Sequence, residues 1–186
     1  MTAISDRYER LSQMFTDRIA SVPPGDPRWQ QQSPCEDWSA IDVVRHVVDT
    51  EHMFFGMVDH DVPGPGDDPL AAWPGIRDAM LAALRDPAVA EREYTGQMGT
   101  AVWQDSVDRF INGDLVVHTW DVARALGVDD SLPDDEVARV QEAFAPLGDA
   151  MRQPGAFGAE VEPPADASAQ DRFLAFLGRD PRWSTS

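Results

Sequence analysis

Apolar positions recur along this chain at intervals of three and four, the period of an α-helix. Tyr8, Leu11, Phe15 and Ile19 form the first such stripe and predict a helix over about Ser5–Val22, ended by "PPGDP". The next start signal is stronger. Ser39 and Asp42 stand at capping-box spacing, and Trp38 and Val43 hold the two positions of a hydrophobic staple. That helix should run to about Asp59. Asp68 before Pro69 reads as a cap followed by the first helical residue, which predicts a third helix to about Arg85. Asp86 to Gly99 lacks the helical period and leaves room for a short extended piece. A fourth helix is expected over Thr100–Leu126 with Gly127 as its left-handed stop, and a fifth over Pro133–Met151. The Pro-rich connection "RQPGAFGAEVEPPADA" follows and needs packing on the rest to be ordered. Ser168 and Asp171 repeat the capping-box spacing before a short last helix that Gly178 ends. Strand patterns are sparse, and no repeat or domain boundary stands out. The expectation is an all-α bundle with short C-terminal helices, residues 1–186 forming one domain.

The fourth helix contains an anomaly, "NGDLVVHTWD". With about 100° of rotation per residue, Val107, Ile111, Val122 and Ala125 fall within about 40° of His118. Asp114 lies about 40° away and Asp121 about 60° away. His118 is therefore centred on the apolar stripe, with Asp114 inside it and Asp121 at its edge. Arg109, Asn112, Gly113 and Arg124 are assigned to solvent. Val116 and Trp120 lie on the opposite side, so this helix should be covered twice, by the C-terminal segment or by a partner subunit in a homodimer. The second helix repeats the anomaly: Val43, Thr50, Met53 and Met57 lie within about 60° of His46.

Two inward histidines and an inward carboxylate on two helices are the donors of a metal site, and bundles build such sites from facing helices. A buried carboxylate is costly alone, and a divalent cation removes that cost. A hydrogen-bonded core pair of Asp114 with His118 is the competing reading. Asp121 either orients a ligating histidine or bonds a neighbouring arginine. Cys35 precedes a helix start but has no base assigned to it, and reads as a packed thiol rather than a nucleophile. His52 and His60 fall off the His46 stripe, towards the surface. Asp42 and Asp49 flank it as capping and solvated groups. The tryptophans read as core and loop anchors. "DDSLPDDE" reads as a solvated loop and helix start.

Charge narrows the partners. The formal net charge is −18, which opposes binding to nucleic acid or to an anionic membrane surface. The basic residues are all arginine, so a Schiff-base lysine is excluded. A single cysteine fits a reducing cytoplasm, and the N-terminus shows no signal-peptide pattern. No apolar run approaches the roughly 20 residues that span a bilayer. Gly-rich phosphate loops and serine-nucleophile motifs are missing.

Three segments together carry a resemblance: "SPCEDWSAIDVVRHVVDTEHMF", "DLVVHTWDVARALG" and "DRFLAFLGRDPRW". They resemble an actinobacterial family related to the metal-binding domain of mycothiol-dependent maleylpyruvate isomerase, within the DinB-like group of four-helix bundles. The resemblance spans nearly the whole chain. It implies one divalent metal, held by a histidine of the second helix and a Glu-x-x-x-His or His-x-x-x-His pair on a later one. Placed on this sequence, the ligands are His46, Asp114 and His118. Zn²⁺ is the first expectation for the ion and Ni²⁺ the second, with mycothiol as a co-substrate. The chain departs from the isomerase in having Asp114 where that enzyme has Glu, and in lacking a counterpart of its further C-terminal domain. Metal binding therefore transfers better than the isomerisation itself. Two functions follow as expectations: a cytoplasmic metal-dependent transferase, isomerase or hydrolase acting on a small molecule or thiol, or a non-catalytic bundle that binds a small molecule or protein.

Overall fold

The computed structural model describes residues 2–96, 99–152 and 157–185. Four helices form the bundle: α1 (Ala3–Ala20), α2 (Ala40–Gly56), α3 (Pro69–Arg85) and, after a break, α6 (Asn112–Leu126). Helix α1 packs on α3 and α6, and α2 packs on the same two, so the four close a square around one core. Their facing stripes meet there, with Tyr8, Leu11, Phe15, Val44, Val47, Phe55, Trp73, Met80, Leu115 and Val122 all buried. This is an all-α bundle, as the apolar pattern predicts. Among the described residues, no helix is long and apolar enough to cross a membrane.

The capping signals hold. The Asp42 carboxylate accepts the Ser39 backbone N–H at 2.9 Å, and Asp68 accepts from Leu70 N at 3.0 Å to start α3. Tryptophans act as anchors with their ring N–H groups satisfied. Trp29 donates to the Pro23 carbonyl, Trp73 to Thr16 Oγ1 and Trp103 to the Phe54 carbonyl, at 2.8–2.9 Å.

The fourth expected helix is shorter and more irregular than its pattern suggests. A one-turn helix α4 (Pro87–Ala90) leads into an antiparallel hairpin, β1 (Glu93–Gly96) and β2 (Gly99–Val102). The expected start at Thr100 falls inside β2, where Thr100 pairs across the ladder with Thr95. Cross-strand pairing there outweighs a helical period that β-branched residues support weakly. The helix begins as α5 (Trp103–Ser106), passes through a π-helical turn at Val107–Ile111 and continues as α6.

The C-terminal third covers the outer side of α6. Helix α7 (Asp134–Phe144) stops short of the expected Met151 and gives way to 3₁₀ turns over Ala145–Met151, with Gly148 outside helical φ/ψ. The ring of Phe144 lies so close to Gly113 that a Cβ there would meet it at 2.9 Å. Asn112 and Gly113, expected at the solvent face, are therefore buried. Val116 and Trp120 are also buried within the chain, so the covering of that back face does not require a second subunit. Part of the Pro-rich connection, residues 153–156, lies outside the described residues. From Phe157 on, it packs on α8 (Ala169–Phe176), with Val161 N donating to the Ala175 carbonyl at 2.9 Å. Nor is "DDSLPDDE" all solvated: Glu136 is buried and pairs with buried Arg7 of α1 at 2.6 Å.

Candidate metal centre

The square places α2 against α6, and this contact brings His46 to Asp114 and His118. Asp114 Oδ1 lies 3.5 Å from His46 Nε2 and 3.3 Å from His118 Nε2. The two imidazoles meet edge to face with centroids 4.7 Å apart. One ligand atom from each residue falls within 4.8 Å of the others. Zn–N and Zn–O bonds of about 2.0–2.2 Å at tetrahedral angles put neighbouring donors about 3.3–3.6 Å apart. Both measured edges match that spacing. The shorter aspartate thus reaches both histidines.

His46 is where the projection and the structure differ. The core side of α2 is carried by Val43, Val44, Val47, Val48, Phe54 and Phe55, and His46 stands at its margin with 30% of its side chain exposed. Met53, expected on the same inward stripe, is 54% exposed. The site consequently opens to solvent past His46 and Asp114, the latter 23% exposed, while His118 closes its inner end. His52 and His60 are half-buried and not part of the cluster, and the His60 ring stacks on Phe55. Asp42 and Asp49 are exposed, as expected.

Asp121 is completely buried, and its Oδ2 sits 2.9 Å from His118 Nδ1. One carboxylate here meets both a histidine and an arginine. Arg179, from the tail after α8, also donates to it, from Nη2 to Oδ2 at 3.0 Å. A carboxylate on Nδ1 fixes the ring and leaves Nε2 facing Asp114 and His46. Burial alone would raise the Asp121 carboxyl, but the charge of Arg179 and the bond from His118 hold it well below the usual carboxylate range. Asp114 is likewise held low against its burial, by His118 and His46. The His118 imidazole is held well above its ordinary value; burial opposes this, and the charge of Asp114 outweighs it. The negative charge of Asp114 thus favours positive charge beside it.

A loop lays two more side chains over this cluster. Ser33 N donates to the Trp38 carbonyl at 2.8 Å and Trp38 N to the Cys35 carbonyl at 3.2 Å, with Asp37 in the left-handed region at φ 62°. Trp38 lies against both histidine rings, 4.9 Å from His46 and 6.0 Å from His118 between centroids. The half-buried Cys35 thiol donates to Asp121 Oδ2 at 3.3 Å. Cys35, His118 and Asp121 form a second group close enough to share an ion. That set is the poorer fit, because the Arg179 guanidinium already occupies the charge of Asp121 and lies 3.7 Å from the sulfur.

Glu51 went unnoticed in the sequence. It is 1% exposed, and both its carboxyl oxygens lie 2.9 Å from the Tyr8 hydroxyl. Burial pushes its carboxyl up to about 8; the Tyr8 hydrogen bond opposes the shift and the charge of Asp114 adds to it. The signal was present, since Glu51 falls four residues after Val47 and four before Phe55 on the buried stripe.

Residues 9–123 match the family model described as the mycothiol maleylpyruvate isomerase N-terminal domain. The chain belongs to that family. The match contains His46, Asp114, His118 and Asp121, and it ends before α7, α8 and Arg179. Among curated proteins and among solved structures, nothing matches the chain. The metal-binding character associated with this family agrees with the donor groups that α2 and α6 bring together.

Proposed function

We propose that the protein is a divalent-metal-dependent enzyme in which His46, Asp114 and His118 hold the ion, Zn²⁺ foremost and Ni²⁺ next. Its chemistry would be thiol-dependent transfer, isomerisation or hydrolysis of a small molecule, with mycothiol as the thiol. One observation carries the reading: three donor atoms converge at ligand spacing, with the far nitrogen of His118 already fixed by Asp121. When bound, such an ion acts as a Lewis acid and lowers the pKa of a water or thiol beside it.

The chain's own residues supply the rest. Asp121 holds the His118 ring and its tautomer. Trp38 walls one side of the site with an apolar face against both imidazoles. Glu51, kept protonated, adds no second charge beside Asp114. The exposed edges of His46 and Asp114 give a small molecule its approach.

Metal analysis of protein purified without a nickel column tests the first step. One equivalent of metal that survives dialysis and is lost in His118→Ala is expected, and no metal in wild type under replete conditions sinks the reading. Thiol-dependent turnover of electrophiles, abolished by the same substitution, tests catalysis. Metal without turnover of any thiol or hydrolytic substrate favours the second reading, a non-catalytic bundle that binds a small molecule or protein.

A further inference from the structure

The tail after α8 reaches the centre through one residue. Gly178 adopts φ +81°, and a Cβ there would lie 2.8 Å from the Ala159 oxygen and from the Gly158 carbonyl carbon. Only glycine passes this point without displacing backbone. The turn sends the chain back towards α6, with Arg179 N donating to the Leu174 carbonyl at 2.9 Å. The Arg179 side chain is then 9% exposed, with its guanidinium over the Phe157 ring at 5.5 Å. It makes a two-point contact with Asp121, Nη2 to Oδ2 at 3.0 Å and Nε to Oδ1 at 3.4 Å. Its Nη1 is held by the Leu177 carbonyl at 3.1 Å.

Asp121 Oδ2 accepts at once from His118, Cys35 and Arg179. Without Arg179 this buried carboxylate would have no permanent cation, and only the bonds on Oδ2, from His118 and Cys35, would remain to hold its plane. A planar fork on both oxygens fixes that plane, and the plane sets the direction in which His118 Nε2 points. Residue 179 lies beyond the matched part of the chain, so this contact is supplied by the C-terminal segment.

We propose that Arg179 is a positioning residue of the metal centre, acting through Asp121 to fix the His118 ring, so that the C-terminal segment completes a site whose ligands all lie in the bundle. This rests on the metal reading given above. Co²⁺ affinity and the visible Co²⁺ spectrum, measured for wild type, Arg179→Gln, Arg179→Lys, Asp121→Asn and the Gln/Asn double variant, test it. Loss of a supporting partner of this kind lowers metal affinity about 10–100-fold. Arg179→Gln should lose that much and shift the spectrum, and Arg179→Lys should recover part of it. The double variant should bind no worse than Asp121→Asn alone, because the two act in series. Wild-type affinity and spectrum in Arg179→Gln, or losses that multiply in the double variant, overturn the proposal. If wild type takes up no Co²⁺, the metal reading fails separately. Crystal structures of the metal-free proteins then decide the positioning role: superimposable Asp121 and His118 side chains in wild type and Arg179→Gln overturn it, and a turned carboxylate supports it.

Discussion

His118 meets a carboxylate at each ring nitrogen, Asp121 at Nδ1 and Asp114 at Nε2. Asp114 and His118 were legible because i, i+4 spacing within an apolar stripe leaves few other placements. Asp121 was legible only as a choice between a histidine and an arginine partner, and burial lets it take both. His46 was legible as inward-facing, but its place at the rim was not, because a projection cannot say where the neighbouring helices stop. Glu51 has a consequence that can be measured. Its folded carboxyl titrates at about 8 and its unfolded one near 4.5, so the folded state keeps a proton that the unfolded chain releases. Stability is unaffected below about pH 4.5 and falls as pH rises from there to about 8, by on the order of 5 kcal/mol. In metal-free protein, Glu51→Gln should remove that fall, giving a higher denaturation midpoint than wild type at pH 8.5 and a similar or slightly lower one at pH 4.5. Urea titrations at the two pH values check this, and parallel pH profiles would count against it.

Elements with strong boundary chemistry formed where their residues indicate. Helix α3 starts at Pro69 behind Asp68, and α8 starts behind Ser168, because these caps satisfy backbone groups locally. Those whose limits depend on partners did not follow the pattern. The hairpin took Thr100, and α7 ended at Phe144, where its ring closes over Gly113. Two glycines test the difference between a local stop and a close approach. Gly127 and Gly178 both have positive φ, but a Cβ at Gly127 meets nothing within 4 Å. Gly127→Ala should cost about 1–2 kcal/mol, the left-handed penalty alone. Gly178→Ala should cost more, about 3 kcal/mol or above, because backbone must also shift. It should weaken metal binding as well, by displacing Arg179. Paired denaturation curves check this, and equal losses at the two positions would show that the approach to Gly158 and Ala159 carries no cost.

For the whole molecule, the net charge of −18 acts against compactness. Some acids are neutralised in place, among them Glu136 and Asp108 by Arg7 together with Arg10 and Arg139, and Asp121 by Arg179. Screening lengthens no bond but weakens the remaining repulsion over about 10 Å at 0.1 M salt. The melting temperature of metal-free protein should therefore rise between about 0.01 M and 0.5 M NaCl. A fall on adding salt would mean that surface ion pairs outweigh the repulsion. By itself the sequence determined the all-α class, the helix starts with side-chain caps, and the inward donors of α6. Each of these is set by residues within a turn or two of one another. Only the tertiary structure decided that His46 lies beside Asp114, that Glu51 is sealed against Tyr8, and that Arg179 meets Asp121. Those contacts join residues 43 to 68 positions apart, a separation over which no periodicity carries information and only the packing of helices sets the distance.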